Sequence, residues 1–342
     1  MKVFLHLFII GSIVFGFACN TKPKISEEEK SHADSLMKVI NLPELTALNK
    51  KILDDPNNPE LYNQRAKIYL QYKQFEEAIN DANRAIRIDT NQASFYLTKV
   101  DVYFANNETR NAKDVLENTV KRFPENTDAL LKLAEIYYFV KQYENAFAKI
   151  NAALKINENL AKGYYLKGNI YKETGDTGKA ISSLQTAIEQ DNKNTGIYVD
   201  LGLIYAGKKN PLAFEYYNTA INLDPKNIQA LYAKAKLHQD LAQYKEAEEL
   251  YKQITTINPN HAFSFYNLGA IEFSVKNNPT SAIDYFTRAI AANERYAEAY
   301  FARGACYQAI NENEKASLDY QICLKLSPNN ENAIEGLNSL SK

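Results

Sequence analysis

A period of 34 residues constrains the fold of this chain more than any other feature of its sequence. Counting from Pro59, the units begin at residues 59, 93, 127, 161, 195, 228, 262 and 297, with one residue deleted in the fifth unit and one inserted in the seventh. The fourth place of each unit holds a large residue: Tyr62, Tyr96, Leu130, Tyr164, Tyr198, Leu231, Phe265 and Tyr300. The eighth place holds a small residue: Ala66, Val100, Ala134, Gly168, Gly202, Ala235, Gly269 and Gly304. Fixed periods of this length are typical of proteins built from stacked supersecondary units.

The second half of each unit also repeats. Alanine falls at or within one residue of the twentieth place: Ala78, Ala112, Ala146, Ala180, Ala213, Ala247, Ala282 and Ala316. In the stretch FEEAINDANRAIRID, residues 75–89, Ala78, Ala82 and Ala85 have the spacing of one helix face. Each unit is therefore predicted to be a pair of helices, whose small residues let the two backbones approach closely.

This pattern resembles the tetratricopeptide repeat, a helix–turn–helix of 34 residues with Leu-Gly at places seven and eight and tyrosine at place eleven. Leu201-Gly202 and Leu268-Gly269 match the dipeptide. Place eleven holds tyrosine in most units: Tyr69, Tyr103, Tyr137, Tyr171, Tyr205 and Tyr307. The resemblance implies an all-α fold, a right-handed superhelical solenoid of about eight helix-turn-helix repeats with capping helices. Stacking is needed because one unit alone cannot bury its apolar face.

Five segments are predicted along the chain. Residues 1–18 are a lipoprotein signal peptide, 19–40 a tether, 41–58 an N-terminal capping helix, 59–330 the eight repeats, and 331–342 a C-terminal capping helix. In the two units of unusual length, Asn-Pro at 210–211 and 278–279 is expected to start the second helix, because asparagine caps helices and proline suits the first turn.

Two cysteines lie within the eighth unit, and we predict that they do not pair. Cys306 and Cys323 stand at places ten and twenty-seven of one helical hairpin. In an antiparallel pair this spacing is an offset of roughly 10 Å along the helices. That distance exceeds the Cα separation of a disulfide.

The first residues predict export and membrane anchoring. Lys2 precedes an apolar stretch from Val3 to Ala18, which is short for a membrane span and ends at Cys19. The segment resembles a bacterial lipoprotein signal, with Ala18 as the small residue before a lipidated Cys19, although Phe17 and Gly16 depart from that motif. The alternative is an ordinary signal peptide in which Cys19 is incidental. A lipid anchor at Cys19 implies an outer-membrane lipoprotein of the bacterial cell envelope that faces the periplasm.

Charge and motif content favour a non-catalytic protein. The chain has 40 basic and 41 acidic residues, without the basic block that predicts nucleic-acid binding. Its four histidines form no zinc-binding motif, so no metal is expected. The stretch GDTGK at 175–179 lacks the spacing and the preceding strand of a phosphate loop. We therefore expect neither enzyme activity nor a cofactor.

The resemblance places partner binding on a concave surface, lined by first-helix places two, five, nine and twelve. From these places we predict a partner-binding groove in units four to eight: Tyr165, Asn169, Tyr232, Lys236, Tyr266 and Phe301. The four rings share place five and should form a ladder along the groove. Aromatic side chains are enriched among interface hot spots. The alternative is that these rings pack against neighbouring helices.

These features together predict a membrane-anchored scaffold that binds a partner protein or peptide, in envelope assembly or secretion. A glycan-binding nutrient-capture lipoprotein is the alternative, because some such proteins are built on similar helical repeats. The absence of tryptophan, the residue that stacks best on sugars, counts against it. An enzyme is the third class, and the sequence offers no catalytic cluster for it.

Overall fold

Helices account for all the regular structure in the computed structural model, which describes residue 39 and residues 42–340. Between residues 42 and 340 there are eighteen helices and no strand. Helix α1 (Pro43–Asp54) precedes the repeats, and helix α18 (Glu331–Leu340) follows them. The predicted signal peptide, Cys19 and most of the predicted tether lie outside the described residues.

Each repeat consists of a first and a second helix, which confirms the predicted helical repeat fold. The first helices are α2 (Pro59–Gln71), α4 (Ala93–Ala105), α6 (Thr127–Phe139), α8 (Ala161–Glu173), α10 (Thr195–Gly207), α12 (Ile228–Asp240), α14 (Ala262–Ser274) and α16 (Ala297–Ala309). The second helices are α3 (Phe75–Ile88), α5 (Thr109–Arg122), α7 (Tyr143–Ile156), α9 (Thr177–Gln190), α11 (Leu212–Leu223), α13 (Tyr244–Ile257), α15 (Pro279–Ala292) and α17 (Asn313–Leu326).

The chain divides into two compact units, residues 1–119 and residues 120–342. In the first unit, α1 shares a buried cluster with the helices of the first two repeats: Leu48, Ile52, Tyr62, Ala85 and Phe95. Helix α1 therefore covers apolar surface that the first repeat would otherwise expose.

In the second unit, buried clusters join successive repeats. One cluster draws on five helices, α12 to α16, and includes Leu231, Tyr251, Phe265, Leu268 and Ile290. Ala333 of α18 packs in another cluster with Tyr320 and Cys323. Cys306 and Cys323 are buried and unpaired, as their spacing predicts. Burial raises the pKa of the Cys306 thiol to about 12.

The small residue at place eight of a repeat makes room for a bulky side chain at place twenty-four, which lies on the second helix of the same repeat. A Cβ added to Gly202 would lie 2.4 Å from the Tyr217 ring, and one added to Gly304 would lie 2.8 Å from the Tyr320 ring. A Cβ on Gly168 would also lie 3.4 Å from the carbonyl oxygen of Ala180, at place twenty. The close approach expected from the alanine pattern is therefore present, and large side chains of the second helix fill it.

The turn inside each repeat holds one residue in the left-handed region. These residues have φ between 51° and 85°: Lys73, Asn107, Lys141, Gly175, Lys209, Ala242, Asn277 and Asn311. Backbone N–H groups of the turn donate to the end of the first helix, as Gln142 N does to the Tyr137 carbonyl at 2.7 Å. These bonds satisfy carbonyls that a helix end leaves open, so the conformation is kept even where the residue is not glycine.

The two Asn-Pro turns restart their second helices as expected, one of them with a shift. Asn278 accepts a hydrogen bond from the Ser281 N–H at 3.2 Å, and Pro279 is the first residue of α15. Asn210 accepts from the Leu212 N–H at 2.9 Å, and α11 begins at Leu212, one residue after Pro211. Pro211 already has helical backbone angles, φ −62° and ψ −18°, so the shift is one of boundary only.

Candidate functional site

The second unit contains a cavity of about 1170 Å³ beside the fifth and sixth repeats, here called the α10–α12 cavity. It is lined by α10, by the turn and the start of α11, by α12, and by the first residues of α14. Apolar side chains dominate the lining: Val199, Leu203, Phe214, Ile228, Leu237 and Phe263. An open cavity lined mainly by apolar side chains is the ordinary form of a binding site.

Large apolar side chains around this cavity are exposed to solvent. Leu203 is 43% exposed, Leu241 is 53% exposed, and Phe263 is 51% exposed. Single exposed apolar residues are common, but several around one cavity mark an interaction surface. Leu203 lies on α10, Leu241 directly follows α12, and Phe263 lies on α14. The three side chains therefore belong to the face of the unit that its first helices form.

Two of the six predicted groove residues line this cavity. Tyr232 and Lys236 stand one turn apart on α12, and both belong to the lining. The Tyr232 hydroxyl accepts a hydrogen bond from the Asn267 side-chain amide at 3.0 Å, and its ring lies 5.5 Å from the His261 ring. These contacts hold the Tyr232 ring in place, so this part of the lining is preformed.

Few polar groups of the cavity are free to meet a ligand. Lys236 forms an ion pair with Asp240 at 3.4 Å. Asn210 and His261 use their side chains to cap α11 and α14, with His261 Nδ1 accepting from the Ser264 N–H at 3.2 Å. Burial lowers the pKa of His261, which keeps the neutral, accepting form of the ring. The cavity therefore offers mainly apolar contact, with charge at its rim.

Tyr266 and Phe301 lie elsewhere and pack against second helices. The Tyr266 ring is 5.5 Å from the Phe286 ring and 5.1 Å from the Tyr296 ring. The Phe301 ring is 5.8 Å from the Tyr320 ring. Both residues are half-buried. The structure thus does not bring the four rings of place five to one cavity, although they share a repeat position.

Tyr165 and Asn169 belong to a polar stretch on α6, α8 and α10 that also includes Tyr143 at the start of α7. Burial and the nearby carboxylate of Asp200 raise the pKa of Tyr165 to about 12. Asp200 pairs with Lys172. Asn169 is only 6% exposed, and its Oδ1 has no hydrogen-bond partner among the described residues. The oxygen is buried, so Asn169 does not present it to a ligand at the surface in this structure.

The same polar stretch satisfies most of its own groups. The hydroxyls of Tyr138 and Tyr143 donate to the Glu173 carboxylate, each at 2.6 Å, and these bonds lower the pKa of Glu173. Lys162 pairs with Glu135 at 2.7 Å. The helices α6 and α8 therefore carry a network of polar side chains that reaches Asp200 of α10, whereas the lining of the α10–α12 cavity is mainly apolar.

The repeat pattern does not indicate two parts of the cavity, the segment around the start of α11 and the end of α12. Leu237, Leu241 and Phe214 line it without being at the binding places of the first helix. A signal was available, because the fifth repeat carries the small pair Ala206-Gly207 where its helix ends. Small residues at that point leave open space beside α12.

Two kinds of feature are absent from the part of the chain that the structure describes. No group of three or more histidine, cysteine or acidic side chains is placed to hold a metal ion there. No helix between residues 42 and 340 has the length and apolar character needed to span a bilayer.

Family models match most of the repeat region. Models described as tetratricopeptide repeat match residues 59–92, residues 97–161 and 270–331, and residues 206–268, and one described as TPR repeat matches residues 168–209. The chain is a tetratricopeptide repeat protein. Repeats of this family act as protein-interaction scaffolds that bind protein or peptide partners, and they are generally non-catalytic.

Known relatives share the repeats over parts of their own length. A UDP-N-acetylglucosamine–peptide N-acetylglucosaminyltransferase of Giardia intestinalis is 32% identical over 142 residues, which cover 40% of this chain and 10% of that enzyme. DnaJ homolog subfamily C member 7 of Mus musculus is 23% identical over 296 residues, which cover 78% of this chain and 60% of that protein. The chain thus spans between a tenth and three fifths of these two relatives.

A solved structure shows the same fold. The APC/C hetero-tetramer Cut9–Hcn1 contains a chain that matches 93% of this one, with a TM-score of 0.57 and 17% identity, over 64% of its own length. At this identity the likeness shows the fold alone.

Proposed function

We propose that this tetratricopeptide repeat protein is a membrane-anchored scaffold of the bacterial cell envelope, in envelope assembly or secretion. It binds a partner protein on the first-helix face of its second unit. The α10–α12 cavity carries this proposal, because it exposes Leu203, Leu241 and Phe263 beside a Tyr232 ring that neighbouring side chains hold in place. Burying such side chains against a partner stabilises a complex by about 25 cal/mol per Å² of apolar surface.

The anchoring part of the proposal rests on residues 1–19. An apolar run that ends in Ala18-Cys19 supports lipidation of Cys19 and retention at the outer membrane, with the repeats facing the periplasm. Stable anchoring of a protein takes two acyl chains or their equivalent, which a diacylated cysteine provides.

Crosslinking in the native cells tests the binding face. A photoreactive amino acid replaces Leu203 or Phe263, and in a third strain it replaces Leu53, which is 81% exposed in the first unit. We expect one protein to crosslink to both cavity positions and not to position 53. Purified Leu203→Ser should then bind that protein at least tenfold more weakly, with an unchanged melting temperature.

Two results would contradict the assignment of this face. One is equal crosslinking of the same protein from positions 53 and 203. The other is a Leu203→Ser variant that binds the crosslinked protein as tightly as the wild type does.

A further inference from the structure

The shape and charge of the α10–α12 cavity restrict the kind of segment that it accepts. Its lining crosses three successive first helices, α10, α12 and α14. At the usual spacing of 8–10 Å between neighbouring helices, three helices span about 20 Å. A helix of about 13 residues has this length at 1.5 Å per residue, whereas an extended strand covers it with about six residues.

The cavity is too large for the side chains of a short extended segment. At about 1170 Å³ it exceeds the ordinary range for a drug-sized ligand. Alternate side chains of a strand point to the same side, so six residues place three side chains in the cavity. A helix of equal length presents an apolar stripe with three to four residues for every two turns. It therefore places about six side chains in the cavity, twice as many as the strand.

The lining also offers few partners for an exposed backbone, chiefly the exposed side chains of Gln229 and Lys209. Asn210 and His261 cap helices of this chain, and Lys236 pairs with Asp240. An extended segment would bring N–H and C=O groups into an apolar cavity, where unpaired polar groups cost stability. A helix satisfies these groups internally, so it enters without that cost.

Charge at the rim indicates which residues flank the apolar stripe. Lys208 and Lys209 are exposed in the turn after α10, and Lys209 lines the cavity. Lys236 is paired with Asp240, the acidic side chain of the lining, so Lys208 and Lys209 supply the unbalanced positive charge. The rim is therefore positive, which complements acidic residues beside the stripe of a bound helix.

We propose that the partner of the α10–α12 cavity is an amphipathic helix of about 13 residues with acidic residues flanking its apolar stripe. This inference rests on the proposed function and names the partner class for the same site. The helix lies across α10, α12 and α14, with its apolar residues against Leu203, Leu241 and Phe263 and its acidic residues toward Lys208 and Lys209.

Selection from a displayed library of random 16-residue peptides against the full-length chain tests the inference. We expect the selected peptides to have apolar residues at i, i+3, i+4 and i+7, with acidic residues beside them. A selected peptide carrying a fluorescent dye is the probe for anisotropy. Its affinity should fall at least tenfold for Phe263→Ser and about fivefold for the double variant Lys208→Glu/Lys209→Glu. Leu53→Ser and Lys325→Glu, two exposed positions outside the cavity lining, should leave it unchanged.

The possible outcomes separate this inference from the proposed function. Chemical shifts of an isotope-labelled peptide in the complex should be helical. Peptides with an alternating or basic pattern whose binding still requires Phe263 would overturn the helix and leave the binding face in place. Failure to select any peptide that depends on Phe263 or Leu203 would overturn both.

Discussion

At the scale of single residues, the fold depends on places where one side chain leaves room for another. Gly202 on α10 faces the Tyr217 ring of α11, and an added Cβ would lie 2.4 Å from it. Tyr217 is 1% exposed and lines the α10–α12 cavity. The absence of a side chain at Gly202 therefore positions a ring of the cavity.

Gly202→Ala should destabilise the protein by about 1–3 kcal/mol, because the methyl group forces the buried Tyr217 ring to move. Gly207→Ala, at the end of the same helix, is the matched control, since a Cβ there meets no atom within 4 Å. That substitution should be neutral or stabilising by up to about 1 kcal/mol. Urea denaturation of both variants measures the difference, and equal stabilities would show that Tyr217 adjusts freely.

His261 makes the stability of the second unit depend on pH. Its pKa in the folded protein is lowered by burial from the usual value of 6.5, and its Nδ1 accepts a hydrogen bond from Ser264 N–H. The unfolded chain thus takes up the proton at a higher pH than the folded protein does. The contribution of His261 to the free energy of unfolding is fully present above pH 6.5, and it is lost as the pH falls toward the lowered pKa.

His261→Asn should remove this pH dependence, because asparagine caps a helix without titrating. Melting temperatures at pH 7.5 and pH 5.0, measured by circular dichroism, provide the comparison. The wild type should lose more stability between these values than the variant does. Glu173, whose pKa is lowered, loses its contribution only at more acidic pH, below 4.5. A variant that responds to pH as the wild type does would assign the effect to another group.

At the scale of helices and turns, a buried ion pair joins the two helices of the eighth repeat. Arg303 of α16 donates to Asp319 of α17 at 2.7 Å and 2.8 Å, and its guanidinium lies 5.7 Å from the centre of the Tyr300 ring. The hydrogen bonds to Asp319 raise the pKa of Arg303. Arg65 and Asp81 form the equivalent pair in the first repeat, at 2.6 Å and 2.7 Å.

Asp319→Ala should destabilise the protein by about 3 kcal/mol, because it leaves the guanidinium partly buried without its acceptor. The double variant Arg303→Met/Asp319→Leu should restore most of this loss, since apolar residues of similar size replace the pair. Asp240→Ala, which breaks an exposed pair, should cost less than about 1 kcal/mol. Thermal unfolding of the three variants decides the point, and equal losses for Asp319→Ala and Asp240→Ala would contradict it.

The sequence predicts the helices far better than it predicts their turns and contacts. The 34-residue period repeats small residues that helix pairs require, so the helical hairpins follow from it directly. The left-handed turn residues do not, because Lys141, Lys209 and Ala242 carry no glycine signal. Their conformation is fixed by hydrogen bonds to the preceding helix, which only the folded chain supplies.

In the candidate site, too, the contacts of a side chain do not follow from the repeat pattern. Tyr232 and Tyr266 share place five, yet Tyr232 lines the cavity and Tyr266 packs on Phe286. What differs is the neighbouring structure, since small residues at Ala206-Gly207 open space beside Tyr232. A repeat pattern gives the position of a side chain on its helix. Which surface that side chain meets depends on the side chains of the adjacent repeats.

At the scale of the whole molecule, the binding and anchoring parts of the proposal lie in different segments. The second compact unit, residues 120–342, holds the α10–α12 cavity. The proposed anchor is at Cys19, outside the described residues. A substitution at Cys19 should therefore change location without changing the binding of a partner.

Cys19→Ala should move the protein from the membrane fraction to the soluble fraction, because acyl chains on that thiol are the proposed anchor. Cys306→Ala is the matched control, since Cys306 is buried in the eighth repeat and unavailable to an acyltransferase. Cells grown with an alkyne-tagged fatty acid should label the wild type and Cys306→Ala but not Cys19→Ala. Labelling is independent of fractionation, so an uncleaved signal peptide that keeps the variant at the membrane is still distinguished from lipidation. A Cys19→Ala variant that takes up the label would place the acyl chain at another residue.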